Sequence, residues 1–318
     1  MSALTPPSRS QVEAARERIA DFAIRTPLVR LNSDGARPIY LKLEMLQPIG
    51  SFKIRCAANA LLAQSAEIRA KGITTASAGN FAQGLGYVAS RLGIRVKSLV
   101  PDSAAQSKLQ ALERLGVEVE RVPFKQWWAV LQDPAAQGYG AGFIHPCADP
   151  AVLAGNATIA LEILEELEPA EVLVPFGGGG LLTGIASTLK GQLPAVKAFG
   201  IESTAGTPLA AAFATGNPVP VPFDNKTFIT GMGSPEVLAP IWPLIRTWVN
   251  GALRVELADV AAAIRLLIKR HHLIAEGAGA SPVAAALART EGDGPIVCIL
   301  SGGHLDTSHL LQILQEKL

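Results

Sequence analysis

Lys53 is the residue of this chain whose type and position most strongly suggest covalent chemistry. It lies in residues 50–56, GSFKIRC, after the apolar run 39–43 and at the start of an alanine-rich helical pattern. A helix N-terminus disfavours a positive charge, and burial acts in the same direction. The position therefore favours a neutral amine, which can form a Schiff base with a carbonyl compound. An ordinary solvated lysine is the alternative, and three turns further along the chain weigh against it.

The first of these turns is residues 77–84, SAGNFAQG, between a predicted strand and a predicted helix. Ligands bind to parallel sheets at the carboxyl ends of the strands, and the small residues Ser77, Ala78 and Gly79 let a ligand approach the backbone. The N–H groups at the start of the following helix suit a carboxylate or a phosphate. Asn80 adds an amide that can bond a hydroxyl or phenolate oxygen, although an ordinary helix cap is an equal alternative.

Four consecutive glycines form the second turn, Gly177, Gly178, Gly179 and Gly180, followed by Leu181. They come directly after a predicted strand and expose successive N–H groups at a helix start, which is an anion-binding arrangement. The pattern is neither the dinucleotide-binding GxGxxG nor a phosphate loop ending in GKT or GKS. A flexible turn is the alternative, but ordering four glycines loses much conformational entropy, so we favour phosphate binding.

The third turn, residues 301–304 (SGGH), also follows a predicted strand. Ser301 can donate a hydrogen bond to a ring nitrogen, and a capping serine is the alternative. His304 is one of five histidines, and a lone histidine in such a turn is more often structural. The small-residue turn 276–280 carries one carboxylate, Glu276, and is a weaker candidate.

These turns lie in a chain whose short apolar runs alternate with helical patterns. The predicted strands are 73–76, 96–100, 117–122, 171–176, 196–201 and 296–300. The predicted helices are 11–24, one from Phe81, one capped by Asp102 or Ser103 and ended by Gly116, a short one from Gln126, 152–167, one from Leu181, 258–270, 281–288 and 307–317. Such alternation predicts parallel sheets covered by helices on both faces. The stretch 206–240, rich in Gly and Pro, is predicted to be a long ordered loop with short helices.

The composition fits a globular protein of two modest domains or one large α/β unit. Of its 318 residues 49% are hydrophobic and 17% are charged, and the formal net charge is +1. Since no basic run occurs, nucleic acid and anionic membranes are poor candidate partners. The three scattered cysteines form no CxxC pair, which argues against a disulfide framework or a zinc site and favours a cytoplasmic setting. The N-terminus has no apolar signal core and no apolar run reaches about 18 residues, so the sequence predicts a soluble protein.

The lysine and the three turns occur in an order that resembles the pyridoxal-phosphate enzymes of fold type II (tryptophan synthase β-like), specifically the serine/threonine dehydratase branch. The resemblance covers about residues 25–304, and Glu276 matches the family's glutamate near the cofactor ring. Cys56 stands where glycine is usual, Phe81 replaces a histidine and His304 replaces an asparagine. The sulfur of Cys56 would either crowd the cofactor pocket or fill a local gap. Because the match ends close to the C-terminus, no appended regulatory domain is expected.

The resemblance implies an α/β fold with two open, mostly parallel three-layer αβα domains and the cofactor in the cleft between them. Residues 1–48 and 145–318 would form the large cofactor-binding domain, and residues 49–144 the small domain inserted in it. Family precedent also suggests a homodimer that acts on a small-molecule amino-acid substrate.

The resemblance also implies a role for each site residue. Lys53 would hold pyridoxal 5'-phosphate as a Schiff base and later abstract the Cα proton of the substrate. Phe52 would pack on the pyridine ring, Asn80 would bond its 3-hydroxyl, and Ser301 would face its nitrogen. The remaining contacts would be the backbone of Gly177, Gly178, Gly179, Gly180 and Leu181 at the phosphate, and Ser77, Ala78, Gly79, Asn80 and Phe81 at the substrate.

A 3-hydroxy amino acid such as threonine or serine would then lose water, and the resulting enamine would hydrolyse to a 2-oxo acid and ammonia. A neutral partner at the ring nitrogen favours this elimination over transamination. The alternatives are an amino-acid racemase, a β-replacement synthase, and a non-catalytic ligand-binding relative. Serine racemases carry a second serine as proton donor where Ala78 stands, so racemisation is disfavoured. The intact Lys53 argues against a binding protein.

The substrate side of the predicted pocket is more apolar than the family pattern. Phe81 removes a polar group beside the turn 77–84, which is expected to hold the substrate carboxylate. Trp127 and Trp128 fall in the same predicted small domain, although a tryptophan pair is usually part of a core. We therefore expect the pocket to accept a bulkier 3-hydroxy amino acid, such as 3-phenylserine, at least as well as threonine.

No metal is expected. Some family members bind a divalent cation through a glutamate and a downstream aspartate. Glu202 matches the glutamate, but Gly206 and Pro208 stand where the second ligand and its neighbour would be. A hard cation needs several oxygen ligands, and this sequence does not supply them.

Overall fold

The computed structural model describes residues 4–224 and 226–317, within which strands and helices alternate. The strands are β1 (Leu28–Arg30), β2 (Ile39–Lys42), β3 (Ile73–Ala76), β4 (Val96–Pro101), β5 (Val117–Val122), β6 (Glu171–Pro175), β7 (Lys197–Ser203), β8 (Gly251–Val255) and β9 (Ile296–Ile299). The helices are α1 (Arg9–Arg18), α2 (Lys53–Leu62), α3 (Ala66–Lys71), α4 (Asn80–Leu92), α5 (Gln106–Arg114), α6 (Phe124–Gln132), α7 (Pro150–Leu164), α8 (Gly180–Gln192), α9 (Pro208–Thr215), α10 (Trp242–Trp248), α11 (Leu257–His271), α12 (Gly277–Leu287) and α13 (Thr307–Leu314), with a short 3₁₀ helix at Glu44–Leu46.

The larger sheet has the strand order β1-β2-β9-β6-β7-β8, and every pair in it is parallel except the edge pair of β1 and β2. Its central strands β6 and β9 are buried along their whole length. Such continuous burial is expected where helices cover both faces of a parallel sheet. The glycine turn (residues 177–180) follows β6, and the serine turn (residues 301–304) follows β9. Because β6 and β9 are neighbouring parallel strands, the two turns lie side by side at one edge of the sheet.

The smaller sheet contains β3, β4 and β5, all parallel. On the free edge of β3, Thr74 bonds to Gly142 and Ile144 through backbone atoms, so the chain leaves this sheet alongside β3. The two-domain α/β architecture predicted from the sequence is confirmed, with mostly parallel sheets covered by helices. The domain boundaries at 48/49 and 144/145 stay a prediction.

Several predicted elements differ from those observed. The first helix ends at Arg18 and not at Ile24, because the side chain of Gln47 bonds both the backbone N–H and the carbonyl of Ile24 and holds it outside a helix. Helix α5 begins at Gln106 and not after Asp102 or Ser103, since the N–H of Asp102 bonds to Val122 and extends the pairing of β4 with β5.

The edge strands β1 and β8 of the larger sheet were not predicted, and β2 was identified only as the apolar run 39–43. Both edges have side chains of mixed exposure, and neither shows the buried apolar run that marks β6 or β9. Helix α9 lies in the predicted loop 206–240, as expected for short helices in that stretch.

Helix α2, which begins with Lys53, packs closely against both α4 and α7. At Gly84 of α4, an added Cβ would be 2.8 Å from the Cβ of Ala57. At Gly155 of α7, an added Cβ would be 2.6 Å from the Cα of Cys56. Both glycines allow the helices to approach so closely that side chains would not fit, and this fixes the helix that carries the lysine.

The helices that the structure describes are too short or too polar to cross a bilayer.

Candidate active site

A cleft of about 810 Å³ lies between the two sheets, and the turns singled out in the sequence surround it. All of the predicted site residues line this cleft: Phe52, Lys53, Ser77, Ala78, Gly79, Asn80, Phe81, Gly177, Gly178, Gly179, Gly180, Leu181, Glu276 and Ser301. The structure therefore brings together residues up to about 250 positions apart in the chain. Their individual roles stay predictions.

Lys53 is the first residue of α2, and its side chain reaches into the cleft. The Nζ atom donates a hydrogen bond to the carbonyl of Pro146 at 3.1 Å. It lies 5.0 Å from the ring centroid of Phe52 and 5.3 Å from that of Phe81. Two aromatic rings thus flank the amine on the cleft side and limit its contact with water.

The lysine segment and the serine turn are joined by backbone hydrogen bonds. The N–H of Phe52 donates to the carbonyl of Ser301 at 3.0 Å, and the N–H of Gly303 donates to the carbonyl of Gly50 at 3.0 Å. Gly50 has a φ of +67°, a conformation that favours glycine. The segment that carries Lys53 and the turn that carries Ser301, the candidate partner of a ring nitrogen, therefore form one hydrogen-bonded unit.

A buried cluster of charges anchors α2 to the larger domain. We call it the Arg55 cluster; it contains Arg55, Glu44, Glu162 and Lys42, all nearly inaccessible. Arg55 bonds Glu44 at 2.8 Å and Glu162 at 2.6 Å, and Lys42 bonds Glu162 at 2.5 Å. Burial alone lowers the pKa of Arg55, but the two carboxylates outweigh it and raise the pKa. Removing one member would leave an uncompensated buried charge, which is strongly destabilising.

Cys56 fills a gap between helices and does not crowd the cleft. Its side chain is fully buried, its Sγ donates to the carbonyl of Lys53 at 3.3 Å, and its Cα faces Gly155 of α7. Burial raises the pKa of the Cys56 thiol to about 12. Of the two interpretations left open by the sequence, the packing favours the filling of a local gap.

The glycine turn is shaped by close contacts on its inner side. Gly179 has a φ of +85° and caps α8. An added Cβ at Gly180 would be 2.8 Å from the carbonyl oxygen of Cys147, and one at Gly178 would overlap its Sγ. Backbone N–H groups in the first turn of a helix have no partner within the helix. Since side chains are excluded here, the turn offers bare N–H groups to an anion.

The amide turn, residues 77–84, has more room for added side chains than the glycine turn. Ser98 on β4 supports it from below by donating to the carbonyl of Ser77 at 2.7 Å, while Gly79 donates its N–H to the Ser77 hydroxyl at 3.3 Å. An added Cβ at Gly79 would meet nothing within 4 Å. Open space therefore lies beside the start of α4, and the binding of a ligand carboxylate there stays a prediction.

Asn80, Glu276 and His304 meet across the cleft. Asn80 Nδ2 lies 3.4 Å from Glu276 Oε1, and Asn80 Oδ1 lies 2.8 Å from His304 Nδ1. Burial raises the pKa of Glu276 to about 8, although Lys108, the Asn80 amide and the backbone N–H of His304 act against this rise. The Glu276 carboxyl is therefore mostly neutral at pH 7.

Sequence reasoning missed the turn His145-Pro146-Cys147. The buried His145 ring bonds the Leu131 carbonyl through Nε2 at 2.9 Å, and its Nδ1 accepts the N–H groups of Cys147 at 3.0 Å and Ala148 at 2.7 Å. Burial lowers the pKa of His145 to about 4, so the ring is neutral and Nδ1 can accept. This ring shapes the turn whose Pro146 carbonyl holds Lys53. A single histidine before a proline gives no such signal in the sequence.

An aromatic cluster lines the small-sheet side of the cleft. We define it as Phe124, Trp127 and Trp128 of α6. The rings of Phe124 and Trp128 are stacked at a centroid distance of 6.4 Å, and Phe124 and Trp127 are tilted at 5.7 Å. Phe81 lies on the same side of the cleft and is almost completely buried. The cluster adds an apolar wall to the cleft that contains the Lys53 amine.

Glu202, the residue that matches the family's cation-binding glutamate, makes other hydrogen bonds in this structure. The buried Glu202 accepts the N–H groups of Leu209 at 2.6 Å and Ala210 at 3.0 Å. Both of its carboxylate oxygens therefore already accept hydrogen bonds from the start of α9. Burial raises the pKa of Glu202 to about 7, although these two N–H groups act against the rise. An added Cβ at Gly206 would be 2.8 Å from the Phe223 ring. In the parts of the chain that the structure describes, no group of three or more His, Cys, Asp or Glu is placed to hold a metal.

Comparison with known proteins gives consistent matches. The family model described as "Pyridoxal-phosphate dependent enzyme" matches residues 19–302. The L-threonine ammonia-lyase of Geobacter sulfurreducens is 38% identical over 96% of this chain and 78% of its own length. The solved structure of a threonine deaminase from T.th. is 32% identical with a TM-score of 0.85, covering 94% of this chain and 99% of that one. The structure of maize serine racemase is 27% identical with a TM-score of 0.86, covering 98% of both chains.

Proposed function

Because the chain belongs to the family of pyridoxal-phosphate dependent enzymes and is a lyase of that family, we propose that it is a 3-hydroxy amino acid dehydratase. It would convert threonine, serine or a bulkier analogue into a 2-oxo acid and ammonia. The observation that carries the proposal is the position of the Lys53 amine, in one cleft with the glycine turn, the amide turn and Ser301.

The residues present fit pyridoxal phosphate. The bare N–H groups of residues 177–181 suit its phosphate, because the inner side of the glycine turn has no room for side chains. Asn80 would offer an amide N–H to the ring oxygen, Ser301 would offer a hydroxyl to the ring nitrogen, and Phe52 would offer a ring surface beside Lys53. When bound, the cofactor supplies the electron sink for charge that develops at Cα, and the protein determines which bond breaks.

The chain's own groups would then handle the substrate and its proton. The Lys53 amine would take the Cα proton, since it is the amine that reaches the cleft between the Phe52 and Phe81 rings. The start of α4 and the Ser77 turn would hold the substrate carboxylate, where Gly79 leaves open space. A neutral hydroxyl at Ser301 would not protonate the ring nitrogen, which favours loss of the β-hydroxyl over transamination.

Racemisation is the second candidate activity, since maize serine racemase has a similar fold. Returning a proton to the opposite face of Cα requires a donor there. The residue at that position of the amide turn is Ala78, whose methyl group cannot donate a proton. We therefore propose elimination without appreciable racemisation.

The aromatic wall supports a preference for a bulky 3-substituent. Phe81 lies beside the Lys53 amine, and the aromatic cluster lines the same side of the cleft. An apolar substituent such as the phenyl group of 3-phenylserine would bury its surface there, at roughly 25 cal/mol per Å². A threonine methyl group would leave much of this wall uncovered.

We also infer a cytoplasmic homodimer. The three cysteines are unpaired, which suits a reducing compartment. Helix α13 exposes two leucines, Leu311 and Leu314, about half of whose surface is accessible. A second copy of the chain would cover such an apolar surface. Light scattering should give twice the mass of one chain, and a monomer at micromolar concentration would contradict the inference.

The proposed function can be tested by trapping the cofactor on its lysine. The purified protein, loaded with pyridoxal phosphate, should be yellow, and borohydride reduction should fix the label on Lys53. Lys108 also lines the cleft and is the matched control. The Lys53→Ala variant should lose the label and the Lys108→Ala variant should keep it. Labelling of Lys108 in place of Lys53 would contradict the proposal.

Substrate assays then separate the candidate activities. Release of a 2-oxo acid from threonine, serine and 3-phenylserine should be detected, with kcat/KM for 3-phenylserine at least equal to that for threonine. A clear preference for serine would contradict the proposed pocket. Accumulation of the opposite enantiomer would indicate a racemase, and a labelled Lys53 without turnover would indicate a non-catalytic relative.

A further inference from the structure

His304 is a polar residue in the cleft for which the proposed chemistry has no use. It follows the serine turn, and its ring faces Asn80 at the start of α4. The distance from His304 Nδ1 to Asn80 Oδ1 is 2.8 Å. An amide oxygen can only accept a hydrogen bond, so Nδ1 must carry the proton. His304 is exposed, but partial desolvation in the cleft lowers its pKa and favours the neutral ring, whose single proton the bond to Asn80 places on Nδ1.

The other end of the same amide is also held. Asn80 Nδ2 donates to Glu276 Oε1 at 3.4 Å. The backbone N–H of Glu276 donates to the carbonyl of Gly302 at 2.9 Å. Hydrogen bonds therefore hold both ends of the Asn80 amide and join Glu276 to the turn that carries His304, and we call Asn80, His304 and Glu276 the amide lock.

The amide lock leaves one hydrogen of the Asn80 amide for a ligand. An amide nitrogen carries two hydrogens, and Glu276 takes one of them. With the oxygen held by His304, the amide cannot rotate to exchange its oxygen and nitrogen. A ligand oxygen beside Asn80 thus meets a donor. Without His304, the same rotation would present an acceptor to that oxygen, and two acceptors repel each other.

We propose that His304 is a positioning residue that fixes the Asn80 amide as a hydrogen-bond donor toward the ring oxygen of the cofactor. The inference rests on the proposed function, since it takes pyridoxal phosphate as the ligand. His304 also connects the two sides of the cleft, because Asn80 begins a helix beside the smaller sheet and His304 follows a strand of the larger one.

Three substitutions, two at His304 and one at His309, distinguish the effect of losing the hydrogen-bond donor from the effect of changing the size of the ring. His304→Phe keeps a ring and removes the donor. His304→Asn places an amide nitrogen where Nδ1 stands, since both atoms are attached to Cγ, and can still donate to Asn80. His309→Phe is the matched control, because His309 also lines the cleft, from α13, and does not take part in the amide lock.

The measurement is the dissociation constant of pyridoxal phosphate, from titration of the cofactor-free protein followed by its visible absorbance. We expect His304→Phe to weaken binding about tenfold, at the upper end of what one net hydrogen bond contributes, and to shift the absorbance band. His304→Asn should remain within about twofold of the wild type, and His309→Phe should be unchanged.

A double-mutant cycle tests whether His304 acts through Asn80. In an Asn80→Ala background, His304→Phe should have no further effect on the dissociation constant. An equal effect in both backgrounds, or equal losses for His304→Phe and His304→Asn, would overturn the inference and indicate a purely structural role. If the wild type itself fails to bind pyridoxal phosphate, the proposed function fails instead.

Discussion

The two sides of the cleft are built in different ways. On the larger-sheet side, the backbone of the glycine turn and the serine turn packs directly against other groups, so that added side chains would collide at Gly178, Gly180 and Gly302. On the smaller-sheet side, Gly79 faces open space, and the aromatic cluster presents partly exposed side chains. One side is shaped by backbone and the other by side chains.

This difference indicates a division of labour. A surface made of backbone N–H groups has one geometry and suits a ligand part that never changes, such as the cofactor phosphate. A wall of side chains can differ from one enzyme to another without altering the fold, and it suits the variable part of the substrate. Changes in the backbone turns of the larger-sheet side should therefore affect cofactor binding and stability, and changes in the aromatic wall of the smaller-sheet side should affect substrate choice.

The first prediction concerns Glu276, a buried acid on the larger-sheet side. Its folded pKa of about 8 is raised by burial above the ordinary value of 4.5. The folded state therefore keeps a proton that the unfolded state loses, and stability present below about pH 4.5 is lost as the pH rises toward 8. Through this window the free energy of unfolding of the cofactor-free protein should fall by on the order of a few kcal/mol.

Glu276→Gln tests this because glutamine resembles the protonated acid and carries no charge. At pH 5.5 the variant and the wild type should have similar free energies of unfolding in urea, and at pH 8.5 the variant should be the more stable. A smaller decline should remain in the variant, because Glu202 also has a raised pKa, of about 7, from burial. Parallel pH profiles for the two proteins would show that Glu276 is not neutral in the folded state.

The second prediction concerns the closest packing in the glycine turn. In Gly178→Ala the new Cβ would overlap the Sγ of Cys147, and the turn would have to shift. Overpacking of this kind typically costs about 1–3 kcal/mol, so the affinity for pyridoxal phosphate should fall by about 10- to 100-fold. The measurement is the same cofactor titration by visible absorbance.

Gly191→Ala is the matched control for that substitution. Gly191 lies near the end of α8, the helix that begins at the glycine turn, and an added Cβ there would meet nothing within 4 Å. Alanine is the better helix former, so this variant should be at least as stable as the wild type and bind the cofactor equally well. Equal affinity in Gly178→Ala would show that the larger-sheet side tolerates side chains and would break the comparison.

The parts of the site that could be predicted are those whose residues lie close together in the sequence. Lys53, the amide turn and the glycine turn were found from the sequence, because small residues between a strand and a helix leave a local pattern. The strand order that brings Ser301 to Lys53 is not local, and neither is the Arg55 cluster, which joins positions more than 100 residues apart. Only the folded chain shows that these groups meet.

The fold was predictable where burial is continuous. The apolar runs of β6 and β9 indicated strands of a parallel sheet, whereas the edge strands β1 and β8 carry exposed residues and gave no such signal. His145 was missed because its function lies in three hydrogen bonds made by one ring, and a single residue type carries no record of its partners.

The last prediction concerns substrate choice on the smaller-sheet side. Phe81→His replaces the apolar ring beside the Lys53 amine with the polar residue usual in the family, while Phe81→Leu keeps the site apolar. The ratio of kcat/KM for 3-phenylserine to that for threonine should fall about tenfold in Phe81→His, within the range set by one group in an apolar pocket, and less in Phe81→Leu. Using a ratio cancels any loss of correctly folded enzyme. The affinity for pyridoxal phosphate should change little, because Phe81 lies opposite the glycine turn's side of the cleft. A fall in cofactor affinity with an unchanged ratio would place Phe81 with the cofactor-binding machinery, and the proposed division between the two sides would then be wrong.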